Sequence, residues 1–517
     1  MLAIEQFERG ASRFPDRVLV TDGTESITYA QMRGLSQNIA QSLIRGGVAP
    51  DDAVAILSPN HSMVLACQYA ILKAGAVWVP CNYRNSAADN VRQLAMFEVR
   101  WLFAHSSLID QAELMRKELP LLKGVVCLDQ AVDGMPELQK WSAPQGEPLP
   151  FPMRRASDTV AILSTSGTTG LPKGAVHANR SFEMMTACFR SELKFDEAPI
   201  HLVIAPLTHA AGVFHYTLLS QGATNVILGS TDPESIMQAI EKHRVSVLFL
   251  PPTVIYMLLA HPKLKEYDYS SLRYFIYGAA PMSVDKLREA VSAFGPVMAQ
   301  CYGQAEALMM CAWLSPSEHA EILNNPAVSH RIAAAGRESP FTRIEIMLED
   351  GSFAPSGTQG EVVFQSDYVM KGYFKDPKAT EEISRFGWHH TGDIGIKDKD
   401  GFLYLVDRKR DLIISGGFNV FPTEVEQAAL GFPAVQDCVV VGVPDEKWGE
   451  LVIAAVEIKA GHVFDEAEFI AFCKQRLGSV KAPKRVEIWE ALPRSTVGKT
   501  LRRVVREKYW VGKARQI

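Results

Sequence analysis

The stretch Ser164-Thr165-Ser166-Gly167-Thr168-Thr169-Gly170-Leu171-Pro172-Lys173-Gly174 follows the apolar run Val160-Ala161-Ile162-Leu163 and passes into Ala175-Val176. Glycine tolerates positive φ, so a glycine-rich loop can turn its backbone N–H groups toward one point. Successive inward N–H groups form an anion nest. The Ser and Thr hydroxyls add donors, and Lys173 adds a mobile cation. A polyphosphate suits that donor set. The alternative is a flexible Ser/Thr/Gly linker. Pro172-Lys173-Gly174 set directly before a strand-like run argues against it. The stretch also fails the G-x-x-x-x-G-K-[ST] pattern, because Gly174 follows Lys173 and Pro172 stands in a glycine position. A strand–loop–helix phosphate cradle is therefore not expected.

A chain of 517 residues exceeds one ordinary core and predicts several domain-sized units. It is 47% hydrophobic and 21% charged, the composition of a globular protein. The net charge of −5, with no basic block, argues against nucleic acid as the main ligand. The first residues carry acids among their apolar positions and lack a signal-peptide pattern. The longest apolar stretch, Val247 to Ala260, is too short to span a bilayer and contains Pro251 and Pro252. It reads as a buried strand, a turn and the start of a buried helix. No transmembrane segment and a cytoplasmic location are expected. The eight cysteines are scattered without a C-x-x-C pair and read as buried free thiols.

Residues 1 to ~150 alternate helix and strand signals. Thr28 precedes Met32, Leu35, Ile39 and Leu43 at helical spacing, and Gly46-Gly47 closes that helix. Val54–Leu57, Ala76–Val79, Trp101–Ala104 and Val125–Leu128 read as strands, with a helix from Ser62 to Lys73. This rhythm predicts an α/β class with mostly parallel sheet. Residues 131–157, with five prolines, read as a surface connection. Beyond the glycine-rich loop, four apolar runs each read as a strand leading into a polar or glycine-rich turn, the last into Tyr302-Gly303-Gln304-Ala305-Glu306. They are Leu202–Ala205, Val245–Leu250, Tyr274–Tyr277 and Val297–Cys301. Ligands of open α/β sheets collect at the carboxyl ends of strands, so these four ends are expected to converge on one site. After ~330, glycine-punctuated short strands predict a small antiparallel β unit. From ~411, strands near 437–443, 450–458 and 485–489 and a helix near 465–477 predict a compact α+β domain.

Five segments carry a resemblance over nearly the whole chain. They are Thr165–Gly174, Tyr302-Gly303-Gln304-Ala305-Glu306, Trp388-His-His-Thr-Gly-Asp393, Asp407-Arg-Lys-Arg-Asp-Leu-Ile-Ile-Ser-Gly-Gly417 and Pro493-Arg-Ser-Thr-Val-Gly-Lys499. In this order the chain resembles the ANL superfamily of adenylate-forming enzymes, which includes acyl-CoA synthetases, peptide-synthetase adenylation domains and firefly luciferase. The resemblance implies a large N-terminal domain of parallel sheets and helices with a small β-barrel-like unit, over residues 1–409. It implies a small mobile α+β domain over 410–517. It also implies ATP, Mg²⁺ and coenzyme A, and two half-reactions. A carboxylate attacks the α-phosphate of ATP, and a thiol then takes the acyl group. It leaves a homodimer open.

The residue roles follow from the same resemblance. Lys499 matches the adenylation lysine, whose cation would lower repulsion between carboxylate and phosphate. Thr165, Ser166, Gly167, Thr168, Thr169, Gly170 and Lys173 match the phosphate loop. Glu306 matches the Mg²⁺ ligand, a hard oxygen donor. Ala305 departs from the family, which has Thr there, and loses one hydroxyl contact worth ~1 kcal/mol. Tyr302 matches the adenine-stacking residue, and Gly278, Ala279 and Ala280 wall the base. Gln300, Gly303 and Gln304 complete that nucleotide site. Asp393 and Arg408 match the pair that grips the ribose hydroxyls. Arg410 matches the hinge, and Gly416-Gly417 the face presented to coenzyme A. His209 matches an active-site position near the carboxylate.

The positions that line family acyl pockets hold Ala210, Ala211, Val213, Phe214, Ala279, Ala307 and Leu308 here. They are apolar and mostly small, with no Asp for an amino group. This predicts a hydrophobic carboxylic acid: fatty, alicyclic or aryl. A stand-alone adenylation enzyme that loads a carrier protein is the second expectation. A non-catalytic nucleotide-binding homologue is the third, disfavoured by Lys499, Glu306, Asp393 and Arg408 standing together.

Overall fold

Short apolar runs bounded by turn residues form strands, and longer amphipathic runs opened by capping side chains form helices. The computed structural model describes residues 2–132, 134–165, 173–280, 282–494 and 500–510. The chain divides into two compact units. One comprises Met1–Arg343 with Phe364–His389, and the other Ile344–Val363 with His390–Ile517.

The first unit contains two large sheets. In one, nine strands run in the order Arg337–Glu338, Ala307–Leu314, Met298–Gln304, Tyr274–Gly278, Val247–Leu250, Ile200–Val203, Thr224–Ile227, Val18–Thr21 and Ser26–Thr28. The six strands from Met298–Gln304 to Val18–Thr21 are mutually parallel. The strands expected to converge are therefore contiguous neighbours, and their carboxyl ends share one edge.

The second sheet has the order Gly372–Tyr373, Gly174–Ala178, Thr159–Ser164, Val77–Cys81, Ala53–Leu57, Trp101–Ala104 and Gly124–Cys127. Its last five strands are parallel. Thr159–Ser164 and Gly174–Ala178 are antiparallel, so the glycine-rich stretch is the loop of a β-hairpin. The expectation against a strand–loop–helix cradle holds.

Local chemistry accounts for several boundaries. Helix Tyr29–Arg45 opens with a capping box between Thr28 and Gln31 and stops at Gly46. That box satisfies two otherwise orphaned donors and is worth about 1 kcal/mol. The Val247–Ala260 stretch resolves into strand Val247–Leu250, Pro251 and helix Pro252–Leu259. Ser283 caps the helix Val284–Phe294. All eight cysteines are free and buried. No helix of the described residues is long and apolar enough to cross a membrane.

One segment differs from its sequence reading. Tyr302-Gly303-Gln304 was expected as a turn after the strand; it continues that strand, which then reverses through Ala305-Glu306 into Ala307–Leu314. The apolar return strand pairs back and carries the first one further. Gly303 permits this, because a Cβ there would stand 2.4 Å from the Met309 carbonyl carbon.

In the second unit the long hairpin is buried on both faces, and successive residues alternate between them. The long hairpin strands Val435–Asp445 and Gly449–Ile458 put Cys438, Val440, Val452, Ala454 and Val456 on one face. There they meet Val425 and Ala429 of helix Pro422–Leu430, and Phe469 and Cys473 of helix Glu466–Lys481. Val439, Val441, Val443, Ile453 and Ala455 face the other way, toward Val505 of helix Arg502–Trp510. Arg485–Ile488 joins Gly449–Ile458 in parallel. The small β unit is a four-stranded sheet of Thr342–Met347, Gln359–Ser366, His389–Lys397 and Leu403–Arg408.

Candidate active site

The carboxyl edge of the nine-stranded sheet holds most of the nucleotide and acyl positions expected from the sequence. Parallel register pairs Tyr277 with Gln300 and Gly278 with Cys301. Ala279 and Tyr302 follow one residue beyond that last pairing. Gly278 needs its missing Cβ, which would lie 2.5 Å from the Cys301 carbonyl oxygen. Ala279 takes φ 65°, a left-handed conformation that turns the chain sharply off the strand end. The Gln300 Oε1 and His319 Nε2 lie 3.0 Å and 2.9 Å from the Tyr277 hydroxyl. The Tyr302 ring is buried.

Glu306 sits in the two-residue turn of the hairpin, and its turn is held from three directions. The Tyr373 hydroxyl donates to Glu306 Oε1 at 2.7 Å. Met370 N–H donates to the Glu306 carbonyl at 2.7 Å. His177 Nε2 lies 2.6 Å from the Ala305 carbonyl. That carbonyl can only accept, so Nε2 carries the proton. Burial pushes His177 down to about 4, which keeps its ring neutral. Lys173 Nζ lies 4.9 Å from the centroid of the Tyr373 ring. The structure thus brings Lys173, at the exit of the glycine-rich stretch, and the Glu306 turn together through one tyrosine. Thr165 N–H donates to the Lys173 carbonyl at 2.8 Å and closes the hairpin neck. Ser166, Gly167, Thr168, Thr169 and Gly170 lie outside the described residues.

The His209 loop is clamped by Asn60. Its Nδ2 donates to the Ile204 and Ala205 carbonyls at 3.1 Å each, and its Oδ1 accepts from Leu207 N–H at 2.8 Å. His209 Nδ1 lies 3.3 Å from the Thr208 hydroxyl. Burial and the charge of Arg84 push His209 down to about 4, so it is neutral near pH 7. Ala210 is partly exposed, and Val213, Phe214, Ala307 and Leu308 are buried. The Phe214 ring packs edge-on against Phe189 and His201, which places it in the core as well as at the expected pocket position.

In the second unit, Asp393 and Arg408 are direct cross-strand partners, with Arg408 Nε 3.6 Å from Asp393 Oδ1. The Thr391-Gly392 segment, which leads into Asp393 within the strand His389–Lys397, is fixed by Glu361. Its Oε1 accepts from Gly392 N–H at 3.2 Å, and its Oε2 lies 3.2 Å from His390 Nδ1 and 3.3 Å from Lys409 Nζ. Arg410 lies in the short helix Lys409–Asp411 and is exposed. Gly416 and Gly417, at φ 59° and 80°, form the turn between Ile413–Ser415 and Phe418–Val420. Lys499 lies outside the described residues. Its flanking segments are tied down by Arg494 to Asp437 and Glu457, and by Arg502 to Glu426 and Asp411.

Sequence reasoning missed His177, Tyr373, Asn60, Arg84 and Glu361. Each lies outside the five quoted motif cores or carries no motif role of its own. Contacts between residues distant in sequence give each its role within its own unit.

Glu306 and Lys173 meet on Tyr373 near the carboxyl edge of a parallel sheet, the edge at which open α/β sheets collect their ligands. The comparisons with known proteins agree. The AMP-binding enzyme model matches residues 7–374, and the AMP-binding enzyme C-terminal domain model matches 424–499. A feruloyl-CoA synthase of Amycolatopsis sp is 35% identical over 511 residues, covering 97% of this chain and 98% of that protein. A medium/long-chain-fatty-acid–CoA ligase of Mycobacterium tuberculosis is 34% identical, covering 96% of this chain and 88% of that one. The solved structure of an amide bond synthetase from Marinactinospora thermotolerans superposes with a TM-score of 0.88 at 29% identity, covering 98% of this chain and 100% of that chain.

The chain belongs to the AMP-binding enzyme family. Within it, the chain is an AMP-forming acyl-CoA synthetase of the adenylate-forming superfamily, with ATP and coenzyme A as substrates and Mg²⁺ as cofactor.

Proposed function

We propose that this enzyme activates a hydrophobic aryl, alicyclic or fatty acid, and that residues 410–517 move about Arg410 between its two half-reactions. The observation that carries the acid class is the lining at the carboxyl edge. Ala210, Val213, Phe214, Ala307 and Leu308 are all apolar, the last four buried at that edge and Ala210 partly exposed, and His209 is neutral. An apolar wall favours a hydrophobic group by about 25 cal/mol per Å² removed from water. The two relatives named above act on a feruloyl and a fatty acyl group, which spans the same chemistry.

In this reading the phosphates lie against the 165–173 loop and Lys173, and adenine lies beside Tyr302 and residues 278–280. Asp393 and Arg408 take the ribose hydroxyls. Glu306 would hold Mg²⁺, a hard carboxylate oxygen donor for a hard cation. The fit is supported by a carboxylate fixed by one phenol donor, which retains further acceptor sites. When bound, Mg²⁺ neutralises phosphate charge. Lys499 stabilises charge on the α-phosphate as the substrate carboxylate oxygen attacks and pyrophosphate leaves. Gly416-Gly417 then present a flat backbone face to coenzyme A, whose thiol displaces AMP. The reading includes a cytoplasmic location and either a monomer or a homodimer, which light scattering distinguishes.

The test is pyrophosphate release with ATP, Mg²⁺ and a panel of aryl, alicyclic and fatty acids, with amino acids and dicarboxylates as comparison, each with and without coenzyme A. Coenzyme-A-dependent turnover on a hydrophobic acid supports the proposal. Adenylate that persists despite coenzyme A points to a carrier-protein acceptor. Turnover confined to amino acids or dicarboxylates contradicts the acid class.

A further inference from the structure

Tyr373 comes from a two-residue strand more than sixty residues beyond Glu306 in sequence, yet it touches two expected phosphate-site groups at once. Its strand is stitched to the exit of the glycine-rich loop. Tyr373 pairs with Ala175, Lys371 N–H donates to the Val176 carbonyl at 2.8 Å, and Phe374 N–H donates to the Gly174 carbonyl at 2.7 Å. The same segment is stitched to the Glu306 turn. Met370 N–H bonds the Glu306 carbonyl, and Val369 bridges to Ala307. Residues 369–374 therefore form a strap between the loop exit and the hairpin turn. Tyr373 is the strap side chain whose hydroxyl meets the Glu306 carboxylate and whose ring faces the Lys173 ammonium. Its own N–H is spent on Thr380 Oγ1 at 2.8 Å, which fixes the ring's base.

We propose that Tyr373 is a positioning residue that sets the Glu306 carboxylate and the Lys173 ammonium at a fixed separation for a metal-bound polyphosphate. The proposal rests on the reading of Glu306 as the metal-site carboxylate. The phenol holds one carboxylate oxygen and leaves the remaining lone pairs for a hard cation. The electron-rich ring face attracts Lys173 without neutralising it, so the ammonium keeps its charge for phosphate. A carboxylate in place of the tyrosine would neutralise Lys173, and an aliphatic residue would hold neither partner.

The test compares the parent, Tyr373→Phe, Tyr373→Leu and Glu306→Gln. Mn²⁺ binding is titrated by electron paramagnetic resonance with α,β-methylene-ATP present, and metal-free nucleotide binding by calorimetry. Tyr373→Phe loses one hydrogen bond to a charged group and should weaken Mn²⁺ binding by about tenfold. It keeps the ring, so metal-free nucleotide affinity and the unfolding midpoint should stay at parental values. Tyr373→Leu should weaken both kinds of binding. Parental Mn²⁺ affinity in Tyr373→Phe, with Glu306→Gln impaired, overturns the proposal and spares the Glu306 reading. Parental Mn²⁺ affinity in Glu306→Gln overturns both. Equal loss of metal and nucleotide binding in Tyr373→Phe, together with a lowered unfolding midpoint, overturns positioning in favour of a scaffold role.

Discussion

Removing the guanidinium of Arg502 should unfold the second unit at a markedly lower temperature. Arg502 opens the helix Arg502–Trp510 and reaches three carboxylates: Glu426 at 2.7 Å, Asp411 at 2.9 Å and Asp407 at 3.4 Å. The arginine side chain is 19% exposed, and those of Glu426, Asp411 and Asp407 are 15%, 14% and 1% exposed. A surface ion pair is worth at most ~1 kcal/mol, and stripping one partner from a buried cluster costs about 3–5 kcal/mol. This cluster lies near the buried limit but keeps some solvent, so Arg502→Met should cost about 3 kcal/mol. For a unit of this size that is a fall of roughly 10 °C in its unfolding midpoint.

The pH dependence follows from Asp411. Burial opposes its charge, but the guanidinium groups of Arg502 and Arg410 hold its carboxyl below the ordinary range. A depressed carboxyl stabilises above its unfolded pKa and loses that stabilisation as pH falls through its folded value. The gap between parent and variant should therefore be widest near pH 7 and shrink below about pH 4. Calorimetry across this range is the assay. A cost below about 1 kcal/mol at pH 7, or a gap that widens in acid, refutes the reasoning.

Gly303→Ala should destabilise the Met298–Gln304 hairpin by about 1–3 kcal/mol, because the new Cβ meets Met309 backbone at 2.4 Å. Denaturant midpoints measure it, and a neutral effect would show that the hairpin can yield there. Acid should destabilise the first unit well above the carboxylate range. Burial holds His177, His201, His209 and His319 at about 4 and His215 at about 3. Folded values below the unfolded one mean that stability is complete above about pH 6.5 and falls as pH drops from there toward 4. Each such histidine contributes up to about 1.4 kcal/mol per pH unit within that window. Urea titrations at pH 7.5, 6 and 5 check the slope, and a flat profile would contradict it.

The sequence carried the fold well where patterns are local. Helices such as Ser62–Lys73 and the parallel strands were legible from apolar period and caps, because burial imposes those patterns directly. Tyr302–Gln304 misled because turn-prone Gly303 can equally mark a close backbone approach, and only the partner strand decides which. The expected pairing of Asp393 with Arg408 was legible as two motifs, and antiparallel register supplies the contact. His177, Tyr373 and Glu361 were not legible. Their roles come from side-chain hydrogen bonds that span 128, 67 and 31 residues of separation, which no local pattern encodes.

In the proposed mechanism Lys499 serves adenylate formation, and a separate arrangement of the same chain serves thioester formation. The direct measurement is Lys499→Ala assayed in each half-reaction separately, on the acid that the panel identifies. Pyrophosphate release from ATP and acid should fall by about 10²–10³-fold, the usual loss for one preorganised donor. Coenzyme A acylation from supplied acyl-adenylate should stay near the parental rate. Equal loss in both half-reactions, or adenylation that survives the substitution, would contradict the account.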